Sequence, residues 1–206
     1  MRKLLASLAL CTALSPASAF AQDVPWWLSE LRFGVFGHDI QLIEVFNGAA
    51  DGINDKPENG VAINFEVMFQ PLTTPGADFF RNPQPFIGAQ INTIGHTSYI
   101  YGGVAWNHTF QNGIFIEGTF GLAVHDGVLN TPRDANGAFF FDGRSALGSR
   151  VLFRESLELG YQFNEDLRIS AHYSHTSHGG FFADANEGQD FAGIRLSRTF
   201  GKVKYD

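Results

Sequence analysis

Cysteine is almost absent from this chain of 206 residues, in which Cys11 is the single example. Long apolar runs are also missing: beyond the first 21 residues, no stretch reaches the ~18 apolar residues that a membrane-spanning helix needs. Charged residues make up only 17 % of the chain. These shortages exclude a disulfide framework, a cysteine metal site and a membrane protein built from helices.

The first 21 residues have the composition of an export signal. Arg2 and Lys3 provide a positive start, residues 4–14 form a short apolar stretch, and Ala19-Phe20-Ala21 offers small residues for cleavage. We therefore expect residues 1–21 to be a signal peptide that is removed from the mature protein.

The mature chain, residues 22–206, is long enough for one domain and too short to expect two. Cleavage would remove Cys11, two of the 14 basic residues and none of the 21 acidic residues, which changes the net charge from −7 to −9. Such an acidic chain argues against nucleic acid as a partner.

Period-2 alternation of apolar and polar residues recurs along the mature chain, as expected for strands with one apolar face. Between the fourth and fifth segments, Gln111-Asn112-Gly113 contains Asn-Gly, the strongest short signal for a hairpin turn. We count eight such segments. They begin near Leu31, Val61, Phe86, Ser98, Ile114, Val151, Leu167 and Ile194.

Charged residues lie on the polar side of this alternation, which fits either a soluble β-sandwich or a membrane barrel. The export signal, strands of about ten residues and an aromatic content of 14 % favour the barrel. We predict an all-β, eight-stranded antiparallel transmembrane β-barrel of the outer-membrane type. Side chains fill the interior of a barrel of this size, so a general porin is not expected. The predicted lumen charges are Arg32, Glu66, Glu117, Arg150, Arg154, Glu158, Arg168 and Arg195.

Connection lengths predict how the barrel is oriented. The turns at residues 111–113 and 164–166 are short, whereas residues 38–60, 127–147 and 178–189 form longer segments. Bacterial barrels have short periplasmic turns and longer extracellular loops. The end of the seventh strand and the start of the eighth are therefore expected at the outer rim.

Polar residues near that rim have the composition of a serine hydrolase site. His175 and Ser177 share the apolar face of their strand, which places an imidazole beside a hydroxyl. Asp190, at the start of the next strand, could orient the base. The amides of Gly179 and Gly180 could receive an oxyanion. Because polar groups on a lipid-facing strand are costly, we favour this function over mere contact with headgroups and water.

The same segment allows two other interpretations. His172, His175 and His178 recur every three residues, but a strand directs neighbouring members of that series to opposite faces, so no metal site is expected. The His-x-Ser pattern also occurs twice, as His172 with Ser174 and as His175 with Ser177. Strand parity puts only the second pair on the apolar face.

Glu155 interrupts the apolar face of the sixth strand. If Phe163 pairs with Leu167 across a three-residue turn, Glu155 lies directly across from His175. One hypothesis is that Glu155 orients or charges the site from behind. The alternative is a bulge that turns Glu155 inward to pair with a lumen arginine.

At these residues the chain resembles the lipid A 3-O-deacylases, outer-membrane acyl hydrolases of Gram-negative bacteria. The resemblance is strongest over residues 148–200, and it includes His175-Thr-Ser177 and Asn186-Glu-Gly-Gln-Asp190. It implies an eight-stranded barrel that releases the ester-linked acyl chain at position 3 of lipid A without a cofactor. By motif, His175 would be the base, Ser177 the nucleophile and Asp190 the acid.

The resemblance also implies a membrane location and lipid A or lipopolysaccharide of the outer leaflet as partner. Whether the chain forms a homodimer is left open. One position departs from the family pattern, because His178 stands where members usually have asparagine beside the oxyanion hole. The alternative function is therefore a catalytically silent barrel with a structural or surface-interaction role. A lipid-binding or transport barrel fits less well with a lumen crowded by arginine and glutamate.

Overall fold

The computed structural model of the chain is a closed barrel of eight strands, and it describes residues 24–40, 58–72, 82–130, 136, 143–182 and 187–200. Each strand pairs antiparallel with its neighbours in chain order, and β1 pairs with β8 to close the barrel. This confirms the predicted fold class. The strands are β1 (Leu28–His38), β2 (Val61–Phe69), β3 (Gln84–Asn92), β4 (Tyr99–Thr109), β5 (Ile114–His125), β6 (Val151–Gln162), β7 (Leu167–Ser177) and β8 (Gln189–Thr199).

Residues 1–21, the expected signal peptide, lie outside the described residues, so that assignment stays a prediction. Across the described ranges, no helix is long and apolar enough to cross a membrane.

The outward face of the barrel is apolar on every strand, whereas the inward face is largely polar. This arrangement is the reverse of a soluble sandwich, whose apolar faces form the core. It resolves the choice left open by the sequence in favour of a lipid-facing barrel. Exposed apolar side chains, one from each strand in order, are Leu31, Phe65, Ile87, Ile100, Phe120, Leu157, Ile169 and Ile194.

Paired charges fill the middle of the lumen. Arg32 donates from Nη1 to Glu117 Oε1 at 2.5 Å and from Nη2 to Glu117 Oε2 at 2.7 Å. Arg195 donates from Nη1 to Glu158 at 2.7 Å and to Glu66 at 3.3 Å. Buried charges are tolerated when they are paired and hydrogen-bonded in this way. The barrel is thus a packed scaffold, as its strand number predicts.

Arg150 was predicted to face the lumen, but it does not. It lies just before β6, at the end of the barrel, and it is exposed. Its Nη1 group donates to the backbone carbonyls of His125 and Gly127, at 3.1 and 2.6 Å. The prediction was wrong because it extended the alternation one residue beyond the first paired residue of the strand.

The short turns set the register that positions the functional site. Gly113 has a φ of 85°, which favours glycine, and its amide donates to Phe110 O at 2.9 Å. The Phe163 amide donates to Leu167 O at 2.9 Å, which confirms the predicted turn between β6 and β7. The end of β7 and the start of β8 therefore meet at the rim with the longer loops.

Candidate active site

His175 and Asp190 meet on the outward face, where they are direct partners in the pairing of β7 with β8. His175 Nδ1 lies 2.6 Å from Asp190 Oδ1. Because a carboxylate only accepts hydrogen bonds, Nδ1 carries the proton and Nε2 of the neutral ring keeps its lone pair. A histidine that is to take a proton from serine needs this tautomer.

Ser177 follows His175 by two residues on the same face, and both side chains are half-exposed. Gly188 lies against both of them. A Cβ atom built on Gly188 would be 3.0 Å from His175 Nε2 and 3.3 Å from Ser177 Cβ. His175 Nε2 and Ser177 therefore border one small space, which a side chain at position 188 would fill.

Asp190 is held by two further contacts. The Tyr173 hydroxyl donates to Asp190 Oδ1 at 3.0 Å, and the Ile40 amide donates to the backbone carbonyl of Asp190 at 2.9 Å. Neither Tyr173 nor Gly188 was predicted from the sequence as a site residue. A tyrosine two residues before His175 and a glycine two residues before Asp190 were the available signals.

The turn after β7 exposes Gly179 and Gly180, which have φ values of 60° and 78°. Positive φ favours glycine at both positions. The side chain of His178 is fully buried, and its Nδ1 accepts from the Phe182 amide at 3.4 Å. The imidazole of His178 is therefore directed away from the outward face that carries Ser177. Roles for Gly179, Gly180 and His178 around an oxyanion stay predictions.

Glu155 pairs directly with His175 across β6 and β7, as the turn register predicted. The strand is regular at this point and Glu155 is exposed, so the alternative of an inward bulge is wrong. An influence of the Glu155 carboxylate on His175 stays a prediction.

The other His-x-Ser pair, His172 and Ser174, is buried in the lumen. His172 Nδ1 lies 3.2 Å from Glu158 Oε2, and Arg154 Nη2 lies 3.4 Å from His172 Nε2. Arginine only donates hydrogen bonds, so it faces the one lone pair of the neutral ring. His172 is therefore unsuited to accept a proton from Ser174.

The three histidines considered for a metal are separated by the strand. His172 and His178 are buried, whereas His175 lies on the outward face. Within the described ranges, no group of three or more His, Cys, Asp or Glu residues is arranged to hold a metal ion.

A buried carboxylate, Glu58, connects several of the segments that join the strands. It accepts from His38 Nε2 at 3.0 Å, the Thr97 amide at 2.9 Å, Arg144 Nε at 3.1 Å and the Ser145 amide at 3.2 Å. Burial by itself would raise the pKa of Glu58, but the hydrogen bonds from His38 and Thr97 outweigh that effect. They hold the pKa well below its usual range.

The Glu58 network continues to the start of β8. Ser145 Oγ donates to Asp39 Oδ2 at 2.9 Å, and Gln189 Nε2 lies 3.4 Å from the same oxygen. Gln189 immediately precedes Asp190, whose carbonyl accepts from the amide of Ile40. Asp190 is therefore connected, through its own carbonyl and through Gln189, to the segments that contain Asp39, Glu58 and Ser145.

Comparisons with known proteins agree with this architecture. A family model described as lipid A 3-O-deacylase (PagL) matches residues 86–199, more than half of the chain. The crystal structure of the outer membrane enzyme PagL is similar, with a TM-score of 0.57 and 12 % identity, over 84 % of this chain and 100 % of that one. Neisserial surface protein A gives a TM-score of 0.46 and 9 % identity, over 85 % and 98 %. No curated protein matches, and the comparisons do not support a homodimer.

Proposed function

The chain belongs to the lipid A 3-O-deacylase (PagL) family, and we propose that it hydrolyses the ester bond of the 3-hydroxyacyl chain at position 3 of lipid A or lipopolysaccharide. The observation that carries this proposal is the 2.6 Å contact between His175 and Asp190, with Ser177 beside it, on a lipid-facing surface. An ionisable pair on such a surface is costly and calls for a function. No metal or cofactor is needed.

In the first half of the proposed reaction, Ser177 Oγ attacks the acyl carbonyl carbon while its proton passes to His175 Nε2. Asp190 stabilises the resulting imidazolium through Nδ1. The amides of Gly179 and Gly180 donate to the oxyanion of the tetrahedral intermediate. The bond between the acyl carbon and the sugar 3-oxygen then breaks, and His175 returns its proton to that oxygen.

In the second half, water attacks the acyl group on Ser177. His175 takes one proton from the water, and the new tetrahedral intermediate collapses with release of the 3-hydroxy fatty acid. The same proton returns to Ser177 Oγ, which restores the free enzyme. In both halves His175 Nε2 first accepts a proton and then returns it, while Nδ1 keeps its hydrogen bond to Asp190.

The proposed location is the outer membrane, reached by means of the signal peptide at residues 1–21. With the long loops extracellular, the site lies toward the outer leaflet, where lipid A resides. The substrate then reaches Ser177 by lateral diffusion along the outward face. Entry into the lumen, which Arg32 and Arg195 fill with their ion pairs, is not required.

The test is to incubate refolded protein with lipid A and to follow the released 3-hydroxy fatty acid by mass spectrometry. Wild type and Ser174→Ala are expected to release it, and Ser177→Ala is expected to release none. If folded wild type releases nothing from several forms of lipid A, the silent barrel becomes the better interpretation. In that case His178→Asn is the first variant to examine.

A further inference from the structure

We propose that Tyr173 is a positioning residue, which fixes the Asp190 carboxylate in the orientation that His175 requires. This inference rests on the proposed function of the site. The Tyr173 hydroxyl donates to Asp190 Oδ1 at 3.0 Å, and His175 Nδ1 lies 2.6 Å from the same oxygen. One carboxylate oxygen therefore serves both groups.

Strand geometry explains how the tyrosine reaches this oxygen. Tyr173 pairs directly with Ala192 of β8, so Asp190 is its diagonal neighbour on the same face. Diagonal neighbours in an antiparallel pair are within reach of aromatic side chains. The small side chain of Ala192 leaves space for the ring to lean along β8 toward the carboxylate.

The membrane environment makes the second donor valuable. Asp190 is almost fully buried at the edge of an apolar, lipid-facing surface. Water is scarce there, and a carboxylate with a single donor would be poorly stabilised and free to rotate. A donor from Tyr173 stabilises the ionised form and restricts rotation, so that Oδ1 stays aligned with Nδ1 of His175.

A tyrosine near a barrel rim can also be present only as an anchor at the membrane interface, with no role in the site. A double-mutant cycle separates the two roles. Release of fatty acid from lipid A in mixed micelles is measured for wild type, Tyr173→Phe, Asp190→Asn and the double variant. We expect Tyr173→Phe to lower kcat about tenfold with KM unchanged, as fits the loss of a hydrogen bond to a charged group.

In the Asp190→Asn background, Tyr173→Phe is expected to have no further effect, because there is no carboxylate left to position. An equal loss of kcat in both backgrounds would overturn the proposal and favour the anchor. Tyr161→Phe is the matched control, since Tyr161 is also a tyrosine on the outward face, and it is in ring contact with Phe163. It should leave kcat unchanged.

A second measurement does not depend on activity. In protein labelled with nitrogen-15 at histidine, the Nδ1–H resonance of His175 is identified by its disappearance in His175→Gln. We expect this resonance to shift in Tyr173→Phe and to stay in place in Tyr161→Phe. An unchanged resonance in Tyr173→Phe would overturn the proposal. If wild type releases no fatty acid and the resonance still shifts in Tyr173→Phe, the proposed function is rejected while the positioning role is supported.

Discussion

Asp190 lies beneath His175: their hydrogen-bonded atoms are 2.6 Å apart, yet the aspartate side chain is 7 % exposed and the histidine side chain 31 %. The aspartate is thus shielded from lipid, whereas the histidine is open to a molecule in the membrane. This difference in exposure suits a pair in which only the histidine meets substrate.

Asp190→Asn is expected to reduce kcat by a factor on the order of 10³ to 10⁴ without unfolding the barrel, because an amide group can donate to Nδ1 and stabilise the wrong imidazole tautomer. Mass spectrometry of released fatty acid measures the loss, and the shift in gel mobility on heating reports the fold. A folded variant that kept a tenth of wild-type kcat would speak against the assignment of Asp190.

Gly188→Ala should abolish most activity, because the new methyl carbon would be 2.6 Å from His175 Cε1 and 3.0 Å from Nε2. The matched control is Gly118→Ala, at a strand position where a Cβ atom meets nothing within 4 Å. We expect the control to retain wild-type release of fatty acid from lipid A. Equal activity in the two variants would show that position 188 leaves the base accessible.

Glu58→Gln is expected to destabilise the barrel by about 2 kcal/mol at pH 7, since it weakens several hydrogen bonds to a buried charge. The folded-state pKa of Glu58 is lowered, so its stabilising contribution is complete above the unfolded-state pKa of about 4.3 and declines as the pH falls below that value. Denaturant unfolding of wild type and variant from pH 7 to pH 3 should show a difference that shrinks below about pH 4. A constant difference would contradict this assignment.

Arg195→Met should lower the free energy of unfolding by about 3 to 5 kcal/mol, because Glu158 and Glu66 would lose a buried partner. Arg198→Met is the control, with the same substitution on the outward face of the same strand. It should change stability by less than about 1 kcal/mol. Urea unfolding followed by tryptophan fluorescence measures both, and similar losses would mean that the lumen pairs contribute little.

The eight strands could be predicted because a lipid-facing surface and a packed lumen impose strict alternation on each of them. The register of β6 and β7 followed from the turn between Phe163 and Leu167, and with it the pairing of Glu155 with His175. Arg150 shows the limit of this argument, since alternation alone does not mark where pairing begins.

Contacts that depend on the closed barrel could not be predicted from the sequence. Glu58 accepts hydrogen bonds from residues between 20 and 87 positions away in the sequence, and no local sequence pattern predicts contacts over such separations. The contact of Tyr173 with Asp190 needs the diagonal offset between β7 and β8. The position of Gly188 against His175 depends on how the chain enters β8.

Each strand of this barrel carries two separate tasks on its two faces. The inward residues, such as Arg32 and Arg195, hold the fold together without touching the outward surface where Ser177 lies. Outward side chains can therefore be exchanged over evolutionary time, and the preferred acyl length altered, while the interior stays intact. In such a protein, new substrate specificity would arise from substitutions on the outward face rather than from changes in the lumen.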